Sequence, residues 1–129
     1  MKSLILTLIT SLALTSVVTA KSPDKLNLRA GQQKTAARGE LTIKFISVLE
    51  DSRCPANARC IWAGNAKIKV KVSNRSGGSK VMEINTNLEP HGDQFGGYAI
   101  NLTGLTPEPS VKGAASRYVA VFSIKRLQR

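Results

Sequence analysis

The chain has 129 residues, enough for one domain with a hydrophobic core but not for several. It carries 19 Lys and Arg against 8 Asp and Glu, a net charge of +11, which points to anionic partners. The alternative is that this charge serves solubility without a dedicated partner. Two cysteines and one histidine fall short of the four ligands of a structural zinc site, so we expect no such metal centre.

Residues 1–20 have the three parts of a secretory signal peptide. Lys2 supplies a positive charge, residues 4–18 form an apolar run without charge, and small residues at 18–20 suit cleavage before Lys21. An uncleaved membrane anchor is the alternative, but a spanning helix needs about 20 apolar residues and this run is shorter. No cysteine follows the run, so a lipid anchor is not indicated.

Cleavage would leave residues 21–129 as a single 109-residue domain, periplasmic or secreted, with 18 basic and 8 acidic residues and a net charge of +10. An exported chain meets an oxidising compartment, where Cys54 and Cys60 are expected to form a disulfide. Their C-x5-C spacing differs from the C-x-x-C of thioredoxin-like redox sites. We expect a monomer with no cofactor and no further membrane span.

The rest of the chain consists of short β-segments separated by turn residues. Residues 26–28 alternate, and residues 40–49 are rich in β-branched and aromatic side chains. Residues 66–72 place four apolar side chains on one face and three lysines on the other. A turn at 74–78 and a second strand over 81–86 complete a predicted hairpin.

Alternation resumes at residues 98–102, and residues 104–113, with two prolines, are predicted to form a loop. Residues 118–127 form the last predicted strand, with apolar residues on both faces, which is typical of a central strand. No segment outside residues 1–20 has helical periodicity over three turns. About seven short strands indicate an all-β domain, either a small barrel or, as we favour, an immunoglobulin-like β-sandwich.

The segment 50–66 joins two of these strands and contains both cysteines. Asp51 and Ser52 are expected to hydrogen-bond nearby backbone amides in a turn. Gly64 is expected to provide a positive φ or a bulge as the next strand begins. Trp62, the only tryptophan, is expected to pack over the disulfide at the edge of the core.

Residues 51–55, D-S-R-C-P, and 60–64, C-I-W-A-G, resemble a motif of small exported bacterial proteins of uncharacterised function. Residues 102–107, which precede a strand that starts with tyrosine, are also similar to these proteins. The resemblance covers around a third of the mature chain. It implies export, the disulfide and a β fold, and it implies no activity.

Two interpretations of the disulfide loop stay open at this point. It is either a tethered crossing between strands or a preformed recognition loop that presents Arg53, Asn57, Arg59 and Trp62. A rigid loop lowers the entropy cost of binding, so the loop could also insert into the cleft of an exported hydrolase. An acidic protease would match the charge of this chain better than a basic lysozyme.

The sequence contains no convincing catalytic constellation, and we expect no enzyme. Glu89, His91 and Asp93 would share one face of an extended segment and could hold zinc or copper weakly. Pro90 and Gly92 favour an ordinary loop instead, so no metal site is predicted.

The lysine row is the best candidate for a ligand surface. Lys67, Lys69 and Lys71 stand about 7 Å apart along one strand face, with Arg75 and Lys80 near the following turn. They could bind a polyanion or an acidic protein of the cell envelope; alternatively they cover a solvated face or protect an edge strand from aggregation. Export and the scarcity of aromatic residues argue against nucleic acid. The leading hypothesis is a non-catalytic exported binding or structural domain with a basic face for anionic envelope partners, and the alternative is an inhibitor of an exported hydrolase acting through the disulfide loop.

Overall fold

A computed structural model describes residues 13–16, 24–55, 58–109 and 117–127. Within these ranges the chain forms eight strands and one short 3-10 turn, Ala37–Gly39, between the second and third strands. Most of the predicted signal peptide lies outside the described residues. The strands are β1 (Asp24–Arg29), β2 (Gln33–Ala36), β3 (Leu41–Asp51), β4 (Ala66–Asn74), β5 (Ser79–Asn85), β6 (Gly92–Phe95), β7 (Tyr98–Thr106) and β8 (Val119–Arg126).

Two antiparallel sheets of four strands confirm the predicted β-sandwich. One sheet has the order β1-β8-β7-β6 and the other has the order β2-β3-β4-β5. Apart from the pairing of β1 with β8, every pair of adjacent strands in the two sheets is also consecutive in the chain. This meander differs from the strand order of immunoglobulin domains, whose Greek-key connections cross between the sheets.

The structure also refines the predicted boundaries. Strands β2 and β6 were not predicted, because each has only four residues and no run of alternating apolar side chains. Residues 104–106, predicted as part of a loop, belong to the end of β7. Pairing with β8 holds these residues in the sheet. Strand β8 itself lies between β1 and β7, in the central position that its two apolar faces predicted.

The inner faces of the two sheets enclose one core. In β4 the alternation works as predicted, since its four apolar residues are fully buried. Burial of a large apolar side chain stabilises a fold by about 1.5–3 kcal/mol. The largest fully buried side chains are Phe45, Phe122, Leu28, Leu41, Ile43, Ile68, Ile84, Ile100, Val70 and Val72.

The predicted hairpin of β4 and β5 is confirmed, with Val70 opposite Met82 and a turn in which the Asn74 amide donates to the Gly78 carbonyl over 2.9 Å. Because the strands alternate in direction, the β3–β4 and β5–β6 connections, the end of β7 and the start of β8 all lie at one end of the sandwich. We call residues 52–65 the Cys-loop and this end the Cys-loop end. None of the described residues form a helix with the length and hydrophobicity of a membrane span.

Candidate functional site

The lysine row occupies the outer face of the sheet formed by β2 to β5. Lys67, Lys69 and Lys71 alternate along β4 with the strand's buried apolar residues, so all three point away from the core. Lys71 is exposed, whereas Lys67 and Lys69 are half-buried by their neighbours. The period of two therefore identified the face correctly, but not the surroundings of each lysine.

Carboxylates on the flanking strands balance part of the row. Lys67 lies opposite Glu50 of β3, and Lys69 lies opposite Glu83 of β5. Opposite charges in such cross-strand positions attract each other and stabilise the sheet. The row is therefore less uniformly positive than its sequence indicates.

The same face carries a fourth lysine, Lys44, that the sequence pattern alone did not single out. Lys44 of β3 lies directly opposite Lys71, and Lys69 follows on the same face of β4. Like charges in directly opposed positions repel and destabilise a sheet. The alternation of Ile43, Lys44 and Phe45 indicated an outward lysine, but only the β3–β4 register shows which lysine it meets.

Arg75 and Lys80 do not extend this face. The Arg75 Nε donates to the Gly39 carbonyl over 3.0 Å, at the end opposite the Cys-loop. Lys80 lies opposite Val72, whose side chain is buried, so it belongs to the side of β5 that faces the other sheet. Its ammonium pairs with Asp93 of β6 over 2.7 Å, and the predicted five-residue set is therefore divided.

A disulfide closes the Cys-loop, as the sequence predicted. Cys54 and Cys60 are bonded, with their Cα atoms 5.8 Å apart. Asn57, one of the predicted recognition residues, lies outside the described residues. The disulfide limits the conformations open to the loop's tip.

Arg53 ties the start of the Cys-loop to the other sheet. Its Nε and Nη2 atoms each donate to a different carboxylate oxygen of Asp51 over 2.9 Å. Its guanidinium also donates to the backbone carbonyls of Leu105, near the end of β7, and of Pro107, just after it. Only 10% of the Arg53 side chain is exposed. Arg53 therefore stabilises the fold and is not displayed to a partner, as the interpretation of a recognition loop required.

Asp51 is the centre of this network. The Tyr118 hydroxyl donates to its second oxygen over 3.0 Å, which brings the start of β8 into the same cluster. Burial alone would raise the pKa of Asp51, but hydrogen bonds from Arg53 and Tyr118 outweigh it and hold that pKa below its usual value. Burial, followed by the hydrogen bond to Asp51, raises the pKa of Tyr118.

A lowered carboxyl pKa makes stability depend on pH. Asp51 contributes its full stabilisation above the ordinary carboxyl pKa of about 4 and loses it as the pH falls through the lower pKa of the folded state. The difference in free energy of unfolding between wild type and Asp51→Asn should therefore shrink as the pH is lowered from about 5 to about 2, which is about two units below that ordinary pKa. Urea unfolding measures this difference.

Asp93→Asn is the control, because the Asp93 side chain is 40% exposed in its pair with Lys80. The hydrogen bond from Lys80 also lowers the pKa of Asp93, but a surface pair contributes only about 0–1 kcal/mol, so the pH-dependent difference for this variant should be much smaller than that for Asp51→Asn. A difference for Asp51→Asn that is constant over the whole range would contradict the assignment.

The two ends of the Cys-loop close on each other through short contacts. The Ser52 amide donates to the Asn65 carbonyl over 2.8 Å, and the Ser52 hydroxyl accepts from the Asn65 amide over 3.1 Å. Gly64 has the predicted positive φ, +69°, and a Cβ built there would lie 1.9 Å from the Ser52 carbonyl oxygen. Only glycine lets the strands leave and re-enter the sheet this closely.

The tip of the loop is exposed and apolar. Ile61 is 93% exposed and Trp62 is 81% exposed, and the neighbouring Arg59 is also exposed. The expectation that Trp62 covers the disulfide at the core edge is therefore wrong. The core closes without it, because Asp51, Arg53 and Tyr118 cap that edge instead.

The β5–β6 loop is fastened to the base of the Cys-loop. The side-chain oxygen of Asn65, a buried residue, accepts from the backbone amides of Asn87 and Leu88 over 3.0 and 3.1 Å. The Asn87 side chain donates to the Gly64 carbonyl. This arrangement places Leu88, itself 61% exposed, on a loop beside the tip.

A cleft of about 400 Å³ lies beneath the Cys-loop, between it, the β5–β6 loop and the end of β7. The guanidinium of Arg53 and the carboxylate of Glu108 line it, but Arg53 is already bound to Asp51. The hydroxyls of Thr86 and Thr103, also in the lining, bond to backbone groups of β4 and β8. The cleft's described side chains thus offer no paired acid and base.

Glu89, Pro90 and His91 lie in the loop before β6, as expected, whereas Asp93 lies within the strand. Gly92 begins β6, and the His91 Nδ1 lies 3.2 Å from the Asn85 carbonyl. The His91 Nε2 faces Glu89 over 3.3 Å, whereas Asp93 is engaged by Lys80. Among the residues that the structure describes, no three His, Cys, Asp or Glu side chains gather in a metal-binding arrangement.

No protein-family model matches this sequence, and neither the curated proteins nor the solved structures contain a significant match to the chain. Functional inference therefore rests on the residues themselves.

Proposed function

We propose that the protein is a non-catalytic exported binding domain that binds an anionic polymer of the cell envelope. Export is supported by the signal-like residues 1–20 and by the disulfide between Cys54 and Cys60. We do not propose nucleic acid as the ligand, because such a domain would act outside the cytoplasm.

The observation that carries this proposal is the pairing of Lys44 with Lys71. Neighbouring strands are about 4.8 Å apart, and Lys69 is about 7 Å from Lys71 along β4, so three lysine side chains leave the sheet within a small area. Their mutual repulsion opposes folding, and a bound polyanion would remove that penalty. The face thus has a reason to bind repeated sulfate, phosphate or carboxylate groups.

The whole molecule adds a general attraction to this local one. Its net charge of +11, or +10 without residues 1–20, speeds the encounter with an anionic surface. The cleft under the Cys-loop, without a paired acid and base, supports a binding role over catalysis.

Retention on heparin at increasing sodium chloride tests the proposal. The triple variant K44Q/K69Q/K71Q should elute at much lower salt than wild type, because the face loses its three clustered charges. Lipopolysaccharide and teichoic acid, immobilised in the same way, test envelope polymers. Glutamine is preferred to glutamate here because a new carboxylate beside Glu83 would repel it.

A matched control is available on the other sheet. Lys25, Arg29 and Lys125 lie on the outer face of the β1-β8-β7-β6 sheet, as their strand partners Ser123, Val119 and Ala99 show. K25Q/R29Q/K125Q removes the same net charge from the molecule. Equal losses of retention in the two triple variants, or no loss in the first, would contradict a dedicated site.

A further inference from the structure

We infer that Ile61 and Trp62 form an anchor that inserts into the interface of an anionic phospholipid bilayer. The inference rests on the proposed function, because it names a specific anionic surface for the domain. It concerns a different part of the molecule, however, and the two can fail separately. We call Ile61 and Trp62 together the apolar tip.

The exposure of the apolar tip is the first observation. Ile61 is 93% exposed and Trp62 is 81% exposed, and the two follow Cys60 of the disulfide in the chain. Leaving such side chains in water forfeits the free energy that burial would return. Exposed clusters of this kind mark surfaces that bind a protein or a membrane.

The rigidity of the surrounding loops is the second observation. The disulfide joins two residues of the Cys-loop that are six positions apart, and the contacts of Ser52 with Asn65 hold the base of the loop. Asn65 and Asn87 fasten the neighbouring loop, which carries the exposed Leu88, to the same base. Two loops thus present apolar side chains at one end without a large loss of conformational entropy on binding.

Charge complementarity selects an anionic bilayer as the occupant. Arg59 is exposed next to the tip, and the chain as a whole carries +11. Two acidic residues, Glu89 and Glu108, lie on neighbouring loops, so the long-range attraction comes chiefly from the whole molecule. A tryptophan ring suits the headgroup level of a bilayer, where one edge meets lipid and the indole N–H meets water.

A protein cleft is the competing occupant, as in the inhibitor hypothesis. An inserted inhibitor loop needs specific polar contacts around its anchor, and Arg53, which was expected to supply them, is bound within the fold. Bilayer insertion needs only protruding apolar side chains and nearby positive charge. The described residues meet that simpler requirement.

Tryptophan fluorescence gives a direct test because Trp62 is the only tryptophan in the chain. Vesicles of phosphatidylglycerol and phosphatidylcholine should shift its emission to shorter wavelength, and brominated lipids in the same vesicles should quench it. Pure phosphatidylcholine vesicles should have little effect. Vesicle sedimentation in parallel reports total binding.

Variants separate insertion from electrostatic adsorption. Trp62→Ala and Ile61→Ala should each lower the affinity for the anionic vesicles, as measured by sedimentation, by about tenfold. Burial of a large apolar side chain contributes at least that much to the affinity. Leu127→Ala, which removes an exposed apolar residue at the end of the sandwich opposite the Cys-loop, is the control and should sediment like wild type. Both tip variants should unfold in urea like wild type and keep their retention on heparin.

Absence of both shift and quenching would overturn the inference, even if vesicles still bound the protein through its lysines. That result would leave the proposed polymer-binding face standing. Equal insertion into pure phosphatidylcholine, or unchanged sedimentation of Trp62→Ala, would also overturn it. Conversely, loss of heparin retention in K44Q/K69Q/K71Q with insertion preserved would separate the tip from that face.

Discussion

Replacement of Arg53 by alanine should lower the free energy of unfolding by about 3 kcal/mol, because it leaves a buried carboxylate without its partner. Asp51 would lose both guanidinium hydrogen bonds and keep those from the Tyr118 hydroxyl and from the backbone amide of residue 53. The carbonyls of Leu105 and Pro107 would lose their donor as well. Urea unfolding of the oxidised protein, followed by circular dichroism, measures the change.

Two further variants make this result specific. Arg59→Ala removes an exposed arginine from the same loop and should change the free energy of unfolding by less than about 0.5 kcal/mol. Arg53→Lys retains the charge but cannot make the two parallel bonds to Asp51, so it should fall between wild type and alanine. If Arg53→Ala proves as stable as Arg59→Ala, the network does not join the two sheets.

Gly64→Ala should destabilise the protein by about 4 kcal/mol or prevent folding, which is at the upper end for a single substitution. The added Cβ would overlap the Ser52 carbonyl oxygen, 1.9 Å away, and that atom is backbone and cannot rotate aside. The positive φ of +69° adds strain for any residue with a side chain. Urea unfolding and the yield of folded protein measure the effect.

Gly31→Ala is the matched control. Gly31 also has a positive φ, +86°, but a Cβ there meets nothing within 4 Å. It should therefore lose only the backbone term, about 1–2 kcal/mol. The difference between the two variants isolates the close approach of the Cys-loop ends, and similar losses would show that conformation alone accounts for Gly64.

Local patterns predicted most of the strands and their faces. The alternation over residues 66–72 identified the buried and exposed sides of β4, because side chains on a strand point alternately to its two faces. The turn after β4 and the central position of β8 followed from the same kind of signal. Short strands such as β2 and β6 escaped because four residues are too few to show a period.

The candidate site was only partly predictable. The lysines of β4 were identified, but Lys44 was missed and Lys80 was grouped with them, since both depend on register across strands. For a related reason, Arg53, which was expected to be exposed, is buried, and Trp62, which was expected to cover the disulfide, is exposed. Which residues at the Cys-loop end are buried depends on partners such as Leu105 and Tyr118, each more than 50 positions from Arg53.

The sequence by itself therefore determined the all-β class, the paired cysteines, the outward lysines of β4 and the need for glycine at position 64. Each of these depends on residues close in the chain or on a period of two. Only the tertiary structure decided the meander order, the opposition of Lys44 to Lys71, the burial of Arg53 and the exposure of Trp62. These features arise from contacts between distant segments, and a local pattern cannot specify which segments meet.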